Sequence, residues 1–402
     1  MNAPIAPATM KRIDRILART PLIDGHNDLP EQLREHYKLE VGGLERGGAD
    51  RVKPLMTDMV RLRAGRVGGQ FWSVYIEGTV TGDEAIRQTI EQIDTVHRLV
   101  RDYPETLAMA SSADDIVKIH RSGRIASLIG IEGGRQIGGS LAALRLFYDA
   151  GARYMTLTHN QTTEWADSAT DQPRWNGLSP FGREVVGEMN RLGMLIDLSH
   201  VSPDVMRQAI AMSRAPVIFS HSSAAGLVGH PRNVPDDVLR SLKINGGVVM
   251  VNWVPGFISQ KVWDWTANRA GEEARLKAIF RSSDAAVLAG LKNWEAANPR
   301  PATGVSDVAD HIDHVTRVAG FDHVGIGADM DGIPYTPTGL EGVEAYPRLF
   351  AELIRRGWTD ANLARLAGGN VLRALRGAEA AAKAMKPSPP SMAVLALSPT
   401  AR

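Results

Sequence analysis

Six side chains of the types that bind metal ions follow short apolar runs in this sequence. The runs occur in PLIDGHNDLP, SLIGIEGG, MTLTHN, LIDLSHVS and VIFSHSS. An apolar run that ends in such a side chain is typical of a buried barrel strand whose last residues reach the open end of the barrel. The pattern therefore predicts metal-assisted hydrolysis. The six candidates are His26, Asp28, Glu132, His159, His200 and His221.

The spacing and order of these residues indicate which of them share a site. His26 and Asp28 are two positions apart, so a strand would place both side chains on one face. His200 and His221 end consecutive runs, which become neighbouring strands in a barrel. Two neutral imidazoles side by side suit a zinc-like ion. One strand-end histidine alone would be interpreted as a structural residue, so it is the combination that favours a metal site.

Glu132 ends the run SLIGIE and is followed by two glycines. A carboxylate that is buried at an inward strand end needs a cation or strong donors to stay charged, whereas a capping glutamate at a strand end is the alternative. Together with the His26–Asp28 pair and the two neighbouring histidines it makes five ligands, more than the three that one catalytic zinc takes. Either one ligand is spare or two ions share a bridging carboxylate. Two zinc ions per chain with Glu132 as the bridge fit better.

Three side chains are predicted to act on the substrate: His159, which is one of the six candidates, and Asp329 and Arg232. His159 would donate to an oxyanion or a substrate carbonyl, with a structural histidine as the alternative. Asp329, in HVGIGADMDG, would take a proton from the attacking water, and Asp331 is the second choice because its spacing points it to the same face. Arg232, in GHPRNVPDD, would bind a substrate carboxylate, unless it is a surface arginine of a polar loop. The histidines predicted to be non-ligands are His36, His97, His120, His230, His311, His314 and His323.

The elements that must position these residues alternate along the chain. Eight apolar, β-rich runs are separated by amphipathic stretches such as DEAIRQTIEQIDTVHRLVRDY, and several of these stretches end at a glycine. Alternating strands and helices predict a parallel sheet, and eight repeats predict an α/β fold of the (β/α)8 TIM-barrel type. The predicted strands are 22–28, 71–78, 126–132, 154–159, 195–200, 217–222, 247–253 and 323–329.

Two long connections and a tail depart from this alternation. Residues 29–70 follow the first strand, and residues 255–302 follow the seventh. Long loops on the mouth side of a barrel are predicted to cover or shape its site. We expect a single metallohydrolase domain over residues 1–383 and a Pro/Ser-rich C-terminal tail over 384–402, whose MAVLAL segment could dock on a surface.

The composition of the 402-residue chain excludes several classes of function. Lys and Arg number 46 against 45 Asp and Glu, and the basic residues are scattered, so no nucleic-acid partner is expected. There is no cysteine, which excludes disulfides, thiolate ligands and a cysteine nucleophile. The first residues lack the apolar region of a secretory signal and no stretch is long enough to span a bilayer, so we expect a cytoplasmic protein without a membrane partner.

Taken together, the motifs resemble those of the membrane (renal) dipeptidase family of zinc peptidases, which are amidohydrolase-type barrels. The segments that carry the resemblance are DGHNDLP, RVGGQFWSVY, IEGG, LTHN, DLSHVS, FSHSSA, HPRNVPDD, VGIGADMDG and AGGNVLR. The resemblance implies a binuclear zinc centre. One ion would be held by His26, Asp28 and Glu132, and the other by Glu132, His200 and His221.

The resemblance also implies a substrate and a mechanism. His159 would contact the scissile carbonyl oxygen, Arg232 would hold the free carboxylate of a dipeptide, and Asp329 would manage the proton. A metal-bridging hydroxide would attack the peptide bond. The resemblance thus implies that the protein is a zinc-dependent dipeptidase. The alternatives are a related amidohydrolase acting on N-acyl amino acids or lactams, and an inactive barrel used for binding. A homodimer is a further expectation, because family members are often dimeric.

Overall fold

A closed barrel of eight parallel strands forms the centre of the protein. The computed structural model describes residues 4–281 and 283–395. Its strands are β1 (Leu22–Asn27), β2 (Val67–Tyr75), β3 (Leu107–Met109), β4 (Ile125–Glu132), β5 (Ala152–Thr156), β6 (Leu195–Asp197), β7 (Ile218–Phe219), β8 (Val248–Val251) and β9 (Val324–Ile326). Around the barrel the order is β1, β2, β4, β5, β6, β7, β8 and β9, and the ring closes where β9 pairs with β1. The predicted (β/α)8 fold is confirmed.

One strand, β3, lies outside this ring of eight. It pairs with the first residues of β4, with Leu107 opposite Ile125, whereas β5 pairs with later residues of β4. Because β2 pairs along β4 from Ala126 to Glu132, β3 and β5 must share the other edge of β4. The sequence predicted eight strands and missed β3, because three residues are too few to show an alternating or apolar pattern.

The register of the strands brings their carboxyl ends to one rim. Tyr75 of β2 is opposite Glu132 of β4, Glu132 is opposite Thr156 of β5, and Thr156 is opposite Asp197 of β6. In a parallel barrel this rim is where the loops that carry chemistry emerge. The candidate residues at or just beyond the strand ends therefore lie at a similar height along the barrel axis, near this rim.

Seven of the eight barrel strands end earlier than predicted, and β4 alone reaches its predicted end at Glu132. β5, β6 and β9 each stop three residues before a candidate residue, namely His159, His200 and Asp329. The apolar runs continue past the last paired residue because the turns themselves are buried, as at Leu157 and Leu198. These candidates therefore lie in buried turns at the rim and not within the strands.

Helices surround the barrel in the described part of the chain. Serine side chains cap several of them: Ser140, Ser179 and Ser202 each accept a hydrogen bond from the backbone N–H three residues later. None of the described helices combines the length and apolar character needed to cross a bilayer. The helices are α1 (Pro7–Leu17), α2 (Leu29–Tyr37), α3 (Met59–Ala64), α4 (Gly82–Asp102), α5 (Ala113–Arg121), α6 (Leu141–Asp149), α7 (Pro180–Leu192), α8 (Pro203–Met212), α9 (Asp236–Asn245), α10 (Pro255–Ile258), α11 (Gln260–Phe280), α12 (Asp284–Ala297), α13 (Val305–Ala319), α14 (Tyr346–Arg355), α15 (Asp360–Ala364) and α16 (Asn370–Met385).

The two long connections fold into helices of their own. The first contains α2 and α3, and the second contains α10 to α12. α11 and α12 pack against each other through a small apolar cluster of Leu276, Val287 and Leu291, which is separate from the barrel core. The helical pair is therefore an addition to the barrel that has its own contacts.

The C-terminal segment contacts the barrel domain. α16 extends to Met385, and beyond it the backbone N–H of Ser391 donates to Glu188 Oε2 at 3.2 Å. Val394 forms an isolated antiparallel bridge with Ser140. The first residues of MAVLAL thus contact the surface, whereas residues 396–402 lie outside the described residues. The boundary of the tail at residue 384 stays a prediction.

Candidate metal centre

Glu132 lies at the centre of the candidate ligands, and its two carboxylate oxygens face different histidines. Oε1 lies 3.0 Å from His200 Nε2 and 3.4 Å from His221 Nε2. Oε2 lies 3.3 Å from His26 Nε2 and accepts a hydrogen bond from Ser73 Oγ at 3.0 Å. The carboxylate therefore spans two groups of imidazoles, which is the arrangement that a bridging ligand requires.

Asp28 and His159 complete the cluster. Asp28 Oδ2 lies 3.3 Å from His26 Nε2, and His159 Nε2 lies 3.8 Å from Glu132 Oε1. The structure thus brings all six candidates together. Three sets within the cluster have ligand atoms that lie within 4.8 Å of one another: His26 with Glu132 and His221, Glu132 with His159 and His200, and His26 with Asp28 and Asp329. These sets overlap the predicted division between two ions without reproducing it.

A tyrosine that crosses the barrel orients His26. Tyr154 Oη donates to the Gly25 carbonyl at 3.1 Å and lies 2.9 Å from His26 Nδ1. Because the single phenolic proton goes to the carbonyl, His26 Nδ1 must donate to Tyr154, which leaves His26 Nε2 with the lone pair that a metal needs. The ring fits because its neighbour on β4 is Gly130, where an added Cβ would lie 2.0 Å from Tyr154 Cζ.

Hydroxyl and carboxylate groups orient His221 in the same way. Ser220 Oγ donates to Asp197 Oδ2 at 2.6 Å and lies 2.8 Å from His221 Nδ1. The serine proton is used by the aspartate, so His221 Nδ1 donates to Ser220, and His221 Nε2 is left free to bind a metal. His221 itself is buried, with 1% of its surface exposed.

The buried polar atoms of the cluster fit a metal ion. Within the described residues, His26 Nε2 and Asp28 Oδ1 have no hydrogen-bond partner. His200 Nε2 and His221 Nε2 face each other at 2.9 Å. Unpaired buried polar atoms are unfavourable, and a divalent cation between these nitrogens and the Glu132 carboxylate would satisfy them. A donor set of imidazoles and carboxylates is one that zinc accepts.

The histidines differ in how firmly they hold a proton. Burial, together with the positive charge of Arg232, sets the pKa values of His200 and His221 well below the usual range, so both are neutral and ready to bind a metal. Burial also opposes a charge on His26, but the Asp28 and Glu132 carboxylates outweigh it and hold the pKa of His26 well above its usual value. A bound cation would take the place of that proton.

Backbone strain is concentrated at this rim. His200 has φ of 67°, Asp329 has φ of 64° and Asp331 has φ of 67°, although none of them is a glycine. Residues in this left-handed region cost about 1–3 kcal/mol each and persist where the surrounding structure enforces them, commonly at functional sites. The sharp turns direct His200 and Asp329 into the mouth immediately after their strands end.

The two aspartates after β9 have different surroundings. Asp329 lines the central cavity, and burial and the nearby Asp28 hold its pKa well above the usual value. Asp331 Oδ1 accepts the backbone N–H of Met56 at 2.7 Å, and Asp331 does not line the cavity. Because both residues have positive φ, the strand alternation that predicted a shared face does not apply. The structure brings Asp329 to the site and uses Asp331 to hold the first long connection.

Arg232 is buried beside the cluster. It is 3% exposed, and its guanidinium makes two long contacts of 3.4 Å, to Ser222 Oγ and to the His221 carbonyl. No carboxylate of the described residues lies within ion-pair distance of it. Burial lowers its pKa to about 10, so it stays charged at neutral pH. Arg232 is therefore a buried cation that lines the cavity, and the alternative of a surface arginine is wrong.

Comparison with known proteins places the chain in a family. The model of the membrane dipeptidase family, peptidase family M19, matches residues 10–389. The chain belongs to this family. An uncharacterized dipeptidase of Schizosaccharomyces pombe is 44% identical over 372 residues, which are 89% of this chain and 81% of that protein. Dipeptidase aclJ of Aspergillus oryzae is 41% identical over 382 residues, which are 93% of this chain and 82% of that protein.

Solved structures of dipeptidases share the fold. The probable dipeptidase PvdM of Pseudomonas aeruginosa superimposes with a TM-score of 0.77 and 25% identity, covering 94% of this chain and 100% of that one. A metallo peptidase of Rhodobacter sphaeroides has a TM-score of 0.72 and 21% identity, covering 90% and 99%. The resemblance expected from the motifs is confirmed, and the protein is a hydrolase of a metallo-dipeptidase family.

The cavity of this dipeptidase-family barrel, about 750 Å³ in volume, is also lined by residues to which the sequence analysis gave no role in the site. They are Glu31, Tyr75, His230 and Phe257. Tyr75 packs on His159 with ring centroids 4.6 Å apart, and His230 packs on Phe257 at 4.1 Å. His230, predicted as a non-ligand, belongs to none of the metal-binding groups of the described residues but shapes the cavity wall. Glu31 and Phe257 lie on helices and His230 lies in a loop, where a strand-end pattern gives no signal. Tyr75 does end a strand, β2, but its side chain is not of a metal-binding type.

Proposed function

We propose that the protein is a zinc-dependent dipeptidase that binds two zinc ions through a shared Glu132. The observation that supports this most directly is that Oε1 of Glu132 faces His200 and His221 while Oε2 faces His26. In this proposal one ion is bound by His26, Asp28 and Glu132. The other ion is bound by Glu132, His200 and His221.

The ions and the chain have separate tasks in the proposed reaction. Two zinc ions, when bound, would acidify a shared water and polarise the peptide carbonyl. His159, which lies at the edge of the ligand cluster and lines the cavity, donates to the oxygen of that carbonyl as it gains negative charge. The Asp329 carboxylate takes the proton of the attacking water and passes it to the leaving amine. Its raised pKa suits a group that must hold this proton for a time.

Arg232 orients the substrate in this proposal. Its donors make only the two 3.4 Å contacts to Ser222 and His221, so they can turn to a stronger acceptor. The free carboxylate of a dipeptide is such an acceptor, and a planar guanidinium binds it with two parallel hydrogen bonds. In a longer peptide the last bond alone has a free carboxylate next to it, so this contact restricts cleavage to the C-terminal bond, which in a dipeptide is the one peptide bond present.

The relatives support a dipeptide substrate. The proteins from Schizosaccharomyces pombe and Aspergillus oryzae, both more than 40% identical, are named dipeptidases. The metallo peptidase from Rhodobacter sphaeroides, which shares the fold, was crystallised with a phosphinate mimic of the dipeptide L-Ala-D-Ala. A phosphinate dipeptide is therefore a suitable probe for the cavity of this chain.

Metal analysis combined with a substrate panel tests the proposal. The purified protein should contain two zinc ions per chain, lose activity on treatment with a chelator and regain it with zinc. The panel compares L-Xaa-L-Xaa and L-Xaa-D-Xaa dipeptides with N-acyl amino acids and a lactam. Faster turnover of N-acyl amino acids or lactams than of every dipeptide would favour the related amidohydrolase instead, and no turnover of any compound by zinc-loaded protein would favour an inactive barrel. The homodimer and the cytoplasmic location stay predictions.

A further inference from the structure

The cavity has more acidic groups than the proposed mechanism uses. Five carboxylates line it, and four of them are accounted for. Asp28 and Glu132 are proposed ligands, and Asp329 is the proposed proton carrier. Asp171 is bound by the chain itself, because its carboxylate accepts the backbone N–H groups of Thr162 and Gln172 at 2.8 Å each. The remaining carboxylate is Glu31.

The Glu31 carboxylate has no hydrogen-bond or ion-pair partner among the described residues. It lies in the first turn of α2 and is half-buried. The nearest candidate cation on the same helix is Arg34, one turn later. Arg34 instead donates to the Gln88 carbonyl at 3.0 Å and to Glu91 at 3.3 Å on α4. The helix is thus arranged so that its own arginine turns away from Glu31.

The groups around Glu31 are negatively charged, so a cation would bind beside it favourably. Burial and then repulsion by Asp28 and Glu132 raise the pKa of Glu31, so this side chain carries a negative charge readily only when a cation lies beside it. A positively charged group seated beside it would remove the repulsion and supply the missing hydrogen bonds. The helix cannot easily move away, because Gln32 Nε2 on the next position donates to the Asp331 carbonyl at 2.8 Å. A cation that pairs with Glu31 would therefore come from outside this helix, through the cavity.

We propose that the Glu31 carboxylate binds the protonated amino terminus of the dipeptide, an inference that rests on the proposed dipeptidase function. Glu31 follows β1 and Arg232 follows β7, three strands away around the ring. The substrate then lies across the mouth with its ammonium group at Glu31, its carboxylate at Arg232 and its peptide bond over the metal ligands. Recognition at both ends selects a free dipeptide. It disfavours N-acyl amino acids, which lack the ammonium group.

A pair of substrates isolates this contact. L-Ala-L-Ala and N-propionyl-L-alanine differ by the amino group alone, and kcat/KM is measured for both with the wild-type protein and with Glu31→Gln. The wild type should prefer L-Ala-L-Ala by about 10- to 100-fold, the range expected for a hydrogen-bonded charge pair. Glu31→Gln should lose that preference by slowing the dipeptide and leaving N-propionyl-L-alanine unchanged. Zinc content should stay at the wild-type level.

A matched variant and two contrary outcomes complete the test. Glu35→Gln removes a charge from the same helix at a side chain that is 49% exposed and does not line the cavity, so its preference should equal that of the wild type. If the wild type hydrolyses L-Ala-L-Ala and Glu31→Gln keeps the wild-type preference, or slows both substrates equally, the ammonium site is wrong and the dipeptidase proposal stands. If the zinc-loaded wild type hydrolyses no dipeptide of the substrate panel, both proposals are wrong.

Discussion

The two sides of the barrel mouth present the metal centre with opposite charge. On the β1 side, His26 lies between the carboxylates of Asp28 and Glu132, and Glu31 adds a third carboxylate close to those two. On the β6–β7 side, His200 and His221 lie beside the buried Arg232. Burial is the main cause of the low pKa values of both histidines, and the positive charge of Arg232 lowers them further. The same side-chain type thus holds a proton on one side and is neutral on the other.

In the proposed binuclear centre, this difference would give the two metal positions unlike surroundings. The β6–β7 side offers neutral imidazoles that need no proton removed. The β1 side offers negative charge, but a cation must displace the proton that the carboxylates hold on His26. The same polarity suits a zwitterionic substrate, because a dipeptide with its ammonium group on the β1 side and its carboxylate on the β6–β7 side complements both.

The largest effect is expected from His200→Ala, which removes a proposed ligand from the β6–β7 side. The variant should contain one zinc ion per chain where the wild type contains two, and it should lose measurable dipeptide turnover. Metal analysis of the purified protein checks this. His36→Ala, at a partly exposed side chain outside the cavity, is the control. Two zinc ions per chain in His200→Ala would remove this histidine from the ligand set.

Asp329→Asn removes the proposed proton carrier, which interacts with Asp28 of the β1 side and with Arg232 of the β6–β7 side, and leaves the proposed metal ligands unchanged. Both zinc ions should stay bound, while kcat falls by about 10²- to 10⁴-fold because an amide cannot accept the proton. Steady-state kinetics and metal analysis on the same preparation separate the two quantities. Wild-type activity in this variant would reject Asp329 as the proton carrier.

Arg232→Ala removes the positive charge of the β6–β7 side. KM for dipeptides should rise by about 10- to 100-fold with a smaller change in kcat, because a hydrogen bond between charged groups contributes about 1.5–3 kcal/mol. Arg207→Ala, at an exposed arginine paired with Asp237, should leave KM unchanged. An unchanged KM in Arg232→Ala would mean that the substrate carboxylate binds elsewhere.

The smallest effect on turnover is expected from the groups that orient the histidines. Tyr154→Phe should weaken zinc binding on the β1 side, and Ser220→Ala should weaken it on the β6–β7 side, each by about 10- to 100-fold. At saturating zinc both variants should work nearly as well as the wild type. Titration of the metal-free protein against a competing chelator resolves the two binding steps. Equal weakening of both steps by either variant would contradict the separation of the two sides.

The barrel and most of the metal cluster could be predicted because both depend on local sequence patterns. Apolar runs that end in His or Glu mark buried strands and their outlets, and Glu132 was correctly placed between the groups of histidines. The predicted strands extend beyond the observed ones because the buried turns that follow the strands are also apolar. Asp331 was misplaced because alternation fails where the backbone adopts positive φ.

The remaining parts of the site depend on long-range contacts that leave no local pattern. Glu31 lies in an ordinary helical stretch, and its isolation becomes visible when Arg34 is seen to pair with Glu91 on another helix. Tyr154 lies in an apolar run and resembles a core residue, yet its hydroxyl reaches His26 across 128 positions of sequence. Such residues are identified by their partners and not by their neighbours in the chain.

The contact between Tyr154 and Gly130 limits how this enzyme could be made more heat-resistant. Filling internal space with a methyl group is a common route to higher melting temperature. At Gly130 that methyl group would meet the phenol ring and push its hydroxyl away from His26. Gly130→Ala should therefore give a protein that needs a higher concentration of metal ion to work, because the Tyr154 ring serves both the packing of the interior and the orientation of His26.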